Sequence, residues 1–156
     1  MADAFRLRRL PLLLLVAAVC LPAAWYAWEY AAGPGQVFVA PRCDSGGEHI
    51  GEPLRLGSPG CFALLLDEPA GTLDPETAAG AGDTRRITVE MVVTRTESDP
   101  PRVTATHAWR LSPRDDQVLF DAADVRTIAD GQTGRYQVTF RIGDTVVGER
   151  AFDVVE

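Results

Sequence analysis

Lysine is absent from this sequence of 156 residues: all 15 basic residues are arginine, against 22 acidic ones. The imbalance lies in residues 36–156, where 12 arginines face 20 aspartates and glutamates, a net charge of −8. An acidic surface repels phosphate backbones and anionic lipid headgroups. We therefore expect no binding to nucleic acid.

Histidine is nearly absent too, with His49 and His107 the only two. The sequence has no Gly-x-Ser-x-Gly, no His-Glu-x-x-His, no phosphate-binding glycine loop and no dinucleotide fingerprint. His107 alternates with apolar residues in a strand-like pattern, which favours a structural role. On these grounds we predict no catalytic residue, no cofactor and no enzyme.

A long uncharged run does occur near the amino terminus. Residues 10–28 follow Arg6, Arg8 and Arg9 and would span about 28 Å as a helix, close to the hydrocarbon thickness of a bilayer. The positive-inside rule places the amino end in the cytoplasm and the remainder in the periplasm or extracellular space. The predicted segments are a cytoplasmic basic stretch (1–9), a transmembrane signal-anchor (10–30), a linker (31–36) and an extracytoplasmic domain (37–156). The protein is thus expected in the inner (cytoplasmic) membrane with a single pass.

Signal peptidase requires small residues one and three places before the cut, and within the uncharged run only cleavage after Ala18 satisfies this. Lipidation of Cys20 is disfavoured because the sequence lacks the small residue that is expected directly before a lipidated cysteine. Both remain alternatives to an uncleaved anchor. The anchor is favoured by a cluster of aromatic residues where the outer headgroups would lie. These are Trp25, Tyr26, Trp28 and Tyr30.

Small residues recur every four positions along the same segment, at Ala23, Ala27 and Ala31. Such a stripe lets another helix approach closely. Packing against another membrane helix is one interpretation of the stripe, but we favour the simpler explanation that alanine is abundant in such sequences.

The three cysteines follow the predicted compartment. Cys43 and Cys61 enclose a glycine- and serine-rich loop of 17 residues, which a disulfide would close in an oxidising space. Together with His49 they would also suit a soft metal ion. The paired cysteines of membrane-anchored copper chaperones are missing, however, because the stretch that begins at Cys61 contains no second cysteine. We predict the disulfide and no metal.

Beyond the linker the apolar pattern has period two, which is typical of β-strands. The clearest runs are 86–95, 103–111, 136–142 and 146–154, and shorter ones are 37–40, 61–66 and 117–120. About seven strands in about 120 residues is typical of an antiparallel β-sandwich.

The segment Gln132-Thr133-Gly134-Arg135-Tyr136-Gln137-Val138 resembles the Asp-x-Gly-x-Tyr-x-Cys signature of immunoglobulin-like domains, as found in bacterial extracytoplasmic modules. The resemblance covers the last quarter of the chain. It implies an immunoglobulin-like sandwich, with Tyr136 as a corner tyrosine bonded to nearby backbone and Trp109 as a core tryptophan. The predicted fold is therefore all-β, an immunoglobulin-like antiparallel sandwich preceded by one transmembrane helix.

Two classes of function fit these expectations. The first is a membrane-anchored interaction or assembly module, an accessory subunit that docks on a larger membrane protein complex. The second is an envelope protein that handles a ligand or a metal through the loop between Cys43 and Cys61.

Overall fold

Strands make up most of the residues that the structure describes. The computed structural model describes residues 34–43, 49–73 and 86–156. Its strands are β1 (Gly35–Ala40), β2 (Leu54–Arg55), β3 (Gly60–Leu66), β4 (Ile87–Arg95), β5 (Arg102–Leu111), β6 (Gln117–Ala122), β7 (Gly134–Ile142) and β8 (Thr145–Val155). A four-residue helix at Ala70–Leu73 and a 3-10 turn at Val125–Thr127 are the helical elements of these ranges. β1 begins inside the predicted 31–36 linker, because Gly35 already pairs with Leu66.

Several predicted features lie outside the described residues. They are the segments 1–9 and 10–30, the start of the linker, the aromatic residues Trp25, Tyr26, Trp28 and Tyr30, the alanines Ala23, Ala27 and Ala31, and Cys20. Within the three described ranges, no helix combines the length and the apolar character needed to cross a membrane.

The strands form two sheets. β1, β3 and β6 make an antiparallel three-stranded sheet with β3 in the middle, and the five-stranded sheet has the order β2-β8-β7-β4-β5. All pairings of the larger sheet are antiparallel except that of the short β2 with β8. This arrangement of two sheets, with almost no helix in the described ranges, confirms the predicted all-β class and is consistent with an immunoglobulin-like fold. The seven predicted strands are all present, and the two-residue β2 is the one that was missed.

The core lies between the sheets and follows directly from the period-two pattern. On most strands residues of one parity point inward, whereas a bulge in β8 changes the parity, so that Val147 is buried at the bulge and Phe152 and Val154 after it. The fully buried residues include Val39, Phe62, Leu64, Val89, Met91, Tyr136, Val138 and Phe140. Burying each such side chain contributes about 1.5 to 3 kcal/mol. Within the described residues no polar or charged residue other than tyrosine is fully buried, so apolar packing holds the sheets together.

The two long sides of the sandwich differ. At one side β1 passes close over β8, where a Cβ on Gly148 would lie 2.7 Å from Cγ2 of Val37 and 3.1 Å from the carbonyl oxygen of Gly35. Only glycine permits this backbone approach. At the other side the edge strands β5 and β6 meet through side chains, with the ring of Phe120 between them.

The turn between β7 and β8 has two residues, Gly143 and Asp144, because Ile142 pairs with Thr145. Gly143 has φ +56°, a conformation that suits glycine at the first position of a tight hairpin turn. This turn sets the register that places the alternate residues of both strands in the core.

Candidate functional site

The outer face of the three-stranded sheet is apolar, although it is not covered by the described residues. Its central row consists of Phe38, Ala63 and Leu119, which are aligned across β1, β3 and β6. Leu65 lies one row away on β3. Leu119 is 62% exposed and Leu65 is 42% exposed, whereas a solvent-facing sheet usually carries polar residues there. We call these four residues the apolar outer face.

The apolar outer face forms a groove along β3. Two adjoining cavities share Phe38, Ala63 and Leu119 in their walls. One, of about 470 Å³, extends toward Leu65 and Gln117. The other, of about 340 Å³, extends to the loop after β1. Ala63 is the floor because its side chain is the smallest of the row, while the larger Phe38 and Leu119 form the walls.

A disulfide closes one end of the groove. Cys43 and Cys61 are bonded, as predicted, with their Cα atoms 5.1 Å apart. The bond ties the chain after β1 to the central strand β3 and, for a separation of 18 residues, contributes about 3 kcal/mol. Ile50, which is 41% exposed, lies at the same end.

Arg42 is a positively charged group at this end of the groove. Its side chain lines the smaller cavity, and it makes no ion pair or hydrogen bond with any residue in the described ranges. Asp121 lies on the same outer face, exposed, in the row of Cys61. The groove is therefore an apolar channel with an available guanidinium at one end.

The disulfide also bears on the metal alternative. An oxidised pair offers no thiolate, so Cys43 and Cys61 cannot act as metal ligands in this state. The third residue of that set, His49, lies with Nδ1 3.1 Å from Oε1 of Glu52. Across residues 34–43, 49–73 and 86–156 no group of three or more His, Cys, Asp or Glu side chains is arranged to hold a metal ion.

Tyr136 lies in the core, and its ring is stacked on Phe152 with centroids 5.7 Å apart. Its hydroxyl is 2.9 Å from the carbonyl oxygens of both Ala129 and Gln132, so it donates its proton to backbone upstream in the chain. Burial raises the pKa of this hydroxyl above its usual 10.0; the nearby Arg95 acts to lower it. Asp130 and Glu97 raise it further.

Trp109 lies on the edge strand β5 and is only partly buried. Its ring makes an edge contact with Phe120, at 5.6 Å between centroids, and stacks on Phe140 at 6.4 Å. A core tryptophan was expected here; Trp109 instead covers the border of the core, because β5 has a neighbouring strand on one side alone. The ring of His107 packs at a tilt against Phe120, with centroids 4.4 Å apart.

The groove was not among the features predicted from the sequence. The available signal is that β3 is apolar at almost every position, Gly60-Cys61-Phe62-Ala63-Leu64-Leu65-Leu66, instead of alternating. A strand with two apolar faces in a sandwich has one face toward the core and the other available to a partner.

Comparisons with known proteins find similarity in fold alone. No family model matches the sequence, and no curated protein matches it. An immunoglobulin-like protein from Pseudomonas aeruginosa is 14% identical with a TM-score of 0.40, over 79% of this chain and 93% of that one. The DNA glycosylase AlkC from Pseudomonas fluorescens, bound to DNA, is 15% identical with a TM-score of 0.41, over 80% of this chain and 31% of that one. A beta-glucosidase from Listeria innocua is 9% identical with a TM-score of 0.39, over 77% of this chain and 16% of that one.

Two of these structures are enzymes, and they contradict the prediction that the protein is not an enzyme. The physical reason is that a shortage of histidines and known motifs excludes particular kinds of catalytic site and does not exclude catalysis in general. TM-scores near 0.4 assign no activity to this chain.

Proposed function

We propose that this protein is a membrane-anchored module of the cell envelope that docks on another membrane protein through its apolar outer face. The anchor is the predicted span at 10–30, with the sandwich on the outer side of the inner membrane. The observation that carries the proposal is the exposure of Leu65 and Leu119 on one continuous apolar surface. Contiguous apolar surface on an otherwise acidic domain is the usual mark of an interaction site.

Two further features support docking in preference to free diffusion. β1 starts at Gly35, so a span ending near residue 30 would hold the sandwich within a few residues of the bilayer. Restricting two proteins to one membrane raises their effective concentration, and a small contact surface then suffices for association. The net charge of −8 on residues 36–156 favours a partner of opposite charge over a second copy of this chain.

The test compares exposed apolar residues on the two sheets. Leu119→Ser with Leu65→Ser removes the apolar outer face, and Val103→Ser changes a residue on β5 that is 55% exposed. All three side chains are exposed, so we expect unfolding free energies within about 0.5 kcal/mol of wild type.

Native gels of membranes solubilised in mild detergent provide the measurement. Wild type and Val103→Ser should migrate in a complex larger than the chain alone, and the Leu65/Leu119 double variant should migrate as the single chain. Migration of the wild type as a single chain would refute docking. Equal loss of the complex in Val103→Ser would assign docking to a different surface.

A second candidate, the handling of an apolar ligand, is favoured by the cavity of about 340 Å³ beside the disulfide. Cavities of this size with apolar walls accept small molecules. Native mass spectrometry of the full chain would then show an apolar molecule bound to the solitary protein, and Ile50→Ser, at the closed end of the groove, should release it.

A further inference from the structure

We propose that the occupant of the groove is an α-helix of the partner membrane protein, with an acidic residue that pairs with Arg42. This proposal rests on the proposed docking function and specifies its partner.

The groove has room for one row of side chains from a helix that lies on top of it. Its walls, Phe38 and Leu119, lie on β1 and β6, which flank β3. Two strand spacings separate the backbones of these walls by about 9.6 Å, so a helix about 10 Å across rests on the walls and only its side chains enter between them. The low floor at Ala63 provides the space into which an apolar residue of the helix can insert.

The chemistry of the surface disfavours an extended peptide. A peptide that adds to a sheet as a strand binds backbone groups at an edge, and specificity comes from pockets for alternate side chains. The central strand β3 is hydrogen-bonded to strands on both sides, so the groove offers side chains and no backbone partners. An amphipathic helix, which presents apolar residues at positions i, i+4 and i+7 on one face, suits such a surface.

The length of the groove fixes the length of the contact. From the row of Gln36 and Leu65 to the row of Ala40 and Cys61 is four residues along the strand, about 13 Å. At 1.5 Å per residue this length corresponds to about nine residues of helix, or two and a half turns.

The charges at the end of the groove determine where the partner helix carries its acidic residue. Arg42 has no acidic partner in the described parts of the chain, and a carboxylate of the helix beside it would form a charge-assisted hydrogen bond. Asp121 lies in the row of Cys61 on the β6 side and would repel the same carboxylate. The acidic residue of the partner therefore lies on the β1 side of the groove, about one turn beyond the last apolar contact.

Site-specific photocrosslinking in intact cells tests the proposal with the full-length chain. A photoreactive amino acid replaces Leu119 or Leu65, and replaces Val103 as the matched control. Peptide mass spectrometry identifies the residues to which each probe is attached. We expect both groove probes to attach to one heterologous membrane protein, at residues three, four or seven apart, and the Val103 probe not to attach to it.

Charge reversal tests the pairing. Arg42→Glu should lower the Leu119 crosslink to that protein about tenfold, and an arginine in place of the partner's acidic residue nearest the crosslink should restore it. Arg141→Glu, an exposed arginine on the five-stranded sheet, produces the same change in net charge and should leave the crosslink unchanged.

The outcomes separate the two proposals. Crosslinks to a heterologous protein at residues two apart would overturn the helix and leave docking intact. A helical pattern that is insensitive to Arg42→Glu would overturn the pairing with the acidic residue. Crosslinks only to lipid, only to a second copy of this chain, or to nothing would overturn both the helix and the docking function.

Discussion

Removing the hydroxyl of Tyr136 should destabilise the sandwich by about 1 to 2 kcal/mol. Tyr136→Phe keeps the ring and its stacking on Phe152 but deletes a proton donor 2.9 Å from two carbonyl oxygens. The carbonyl of Ala129 keeps another partner, because it also accepts from the backbone nitrogen of Gln132 at 3.0 Å. The carbonyl of Gln132 loses its bond in a partly buried position, which costs about 1 to 2 kcal/mol.

The assay is urea unfolding of the full chain in detergent micelles, with Trp25→Phe and Trp28→Phe introduced so that Trp109 is the only tryptophan. At a slope of about 2 kcal/mol per M, a loss of this size lowers the urea midpoint by about 0.5 to 1 M. The control is Thr88→Val, which removes an exposed hydroxyl from β4 and should change stability by less than about 0.5 kcal/mol. Equal stability of Tyr136→Phe and wild type, or an equal loss in Thr88→Val, would refute the role assigned to these bonds.

Two further outcomes are expected. Because the folded state raises the pKa of Tyr136 above 10.0, its contribution to stability is complete below that pH and is lost as pH rises through the folded pKa. Urea unfolding at about pH 9 and about pH 11 should therefore show a decrease for wild type that Tyr136→Phe lacks, and parallel decreases would contradict the burial argument. Gly148→Ala should lower the free energy of unfolding by about 1 to 3 kcal/mol through overpacking. Combined with Val37→Ala, the total loss should be smaller than the sum of the two single losses. The same Val37→Ala change should recover nothing from Gly143→Ala, whose cost comes from φ +56° and not from a neighbour within 4 Å.

Much of the fold could be predicted because each long strand alternates cleanly. In β4 and β7 one parity is apolar, and the structure buries that parity between the sheets. Alternation predicts which side chains point inward, but it does not predict whether a strand has a neighbouring strand on one side or on both. β5 alternates as β4 does, yet it lies at an edge and leaves Trp109 partly exposed. The two-residue β2 is too short to have a period at all.

The groove was harder to predict than the disulfide beside it. Cys43 and Cys61 could be paired from compartment and loop composition, because only those two thiols lie in the predicted outer domain. The apolar outer face, in contrast, depends on the alignment of Phe38, Ala63 and Leu119 on three strands. Registers between strands distant in sequence arise from tertiary packing, and no local pattern encodes them.

The difference between the two sides of the sandwich has a consequence for how the groove adapts to its occupant. Phe38 lies on β1, which is held against β8 by direct backbone packing at Gly35 and Gly148. Leu119 lies on β6, a free edge whose contact with the opposite sheet is made by the ring of Phe120. Side chains repack more readily than two backbones in contact separate. The two sheets should therefore open at the side of β5 and β6, with the contact between Gly35 and Gly148 as the hinge. Amide hydrogens of β6 should then exchange faster than those of β1, and the groove would have one rigid wall and one compliant wall.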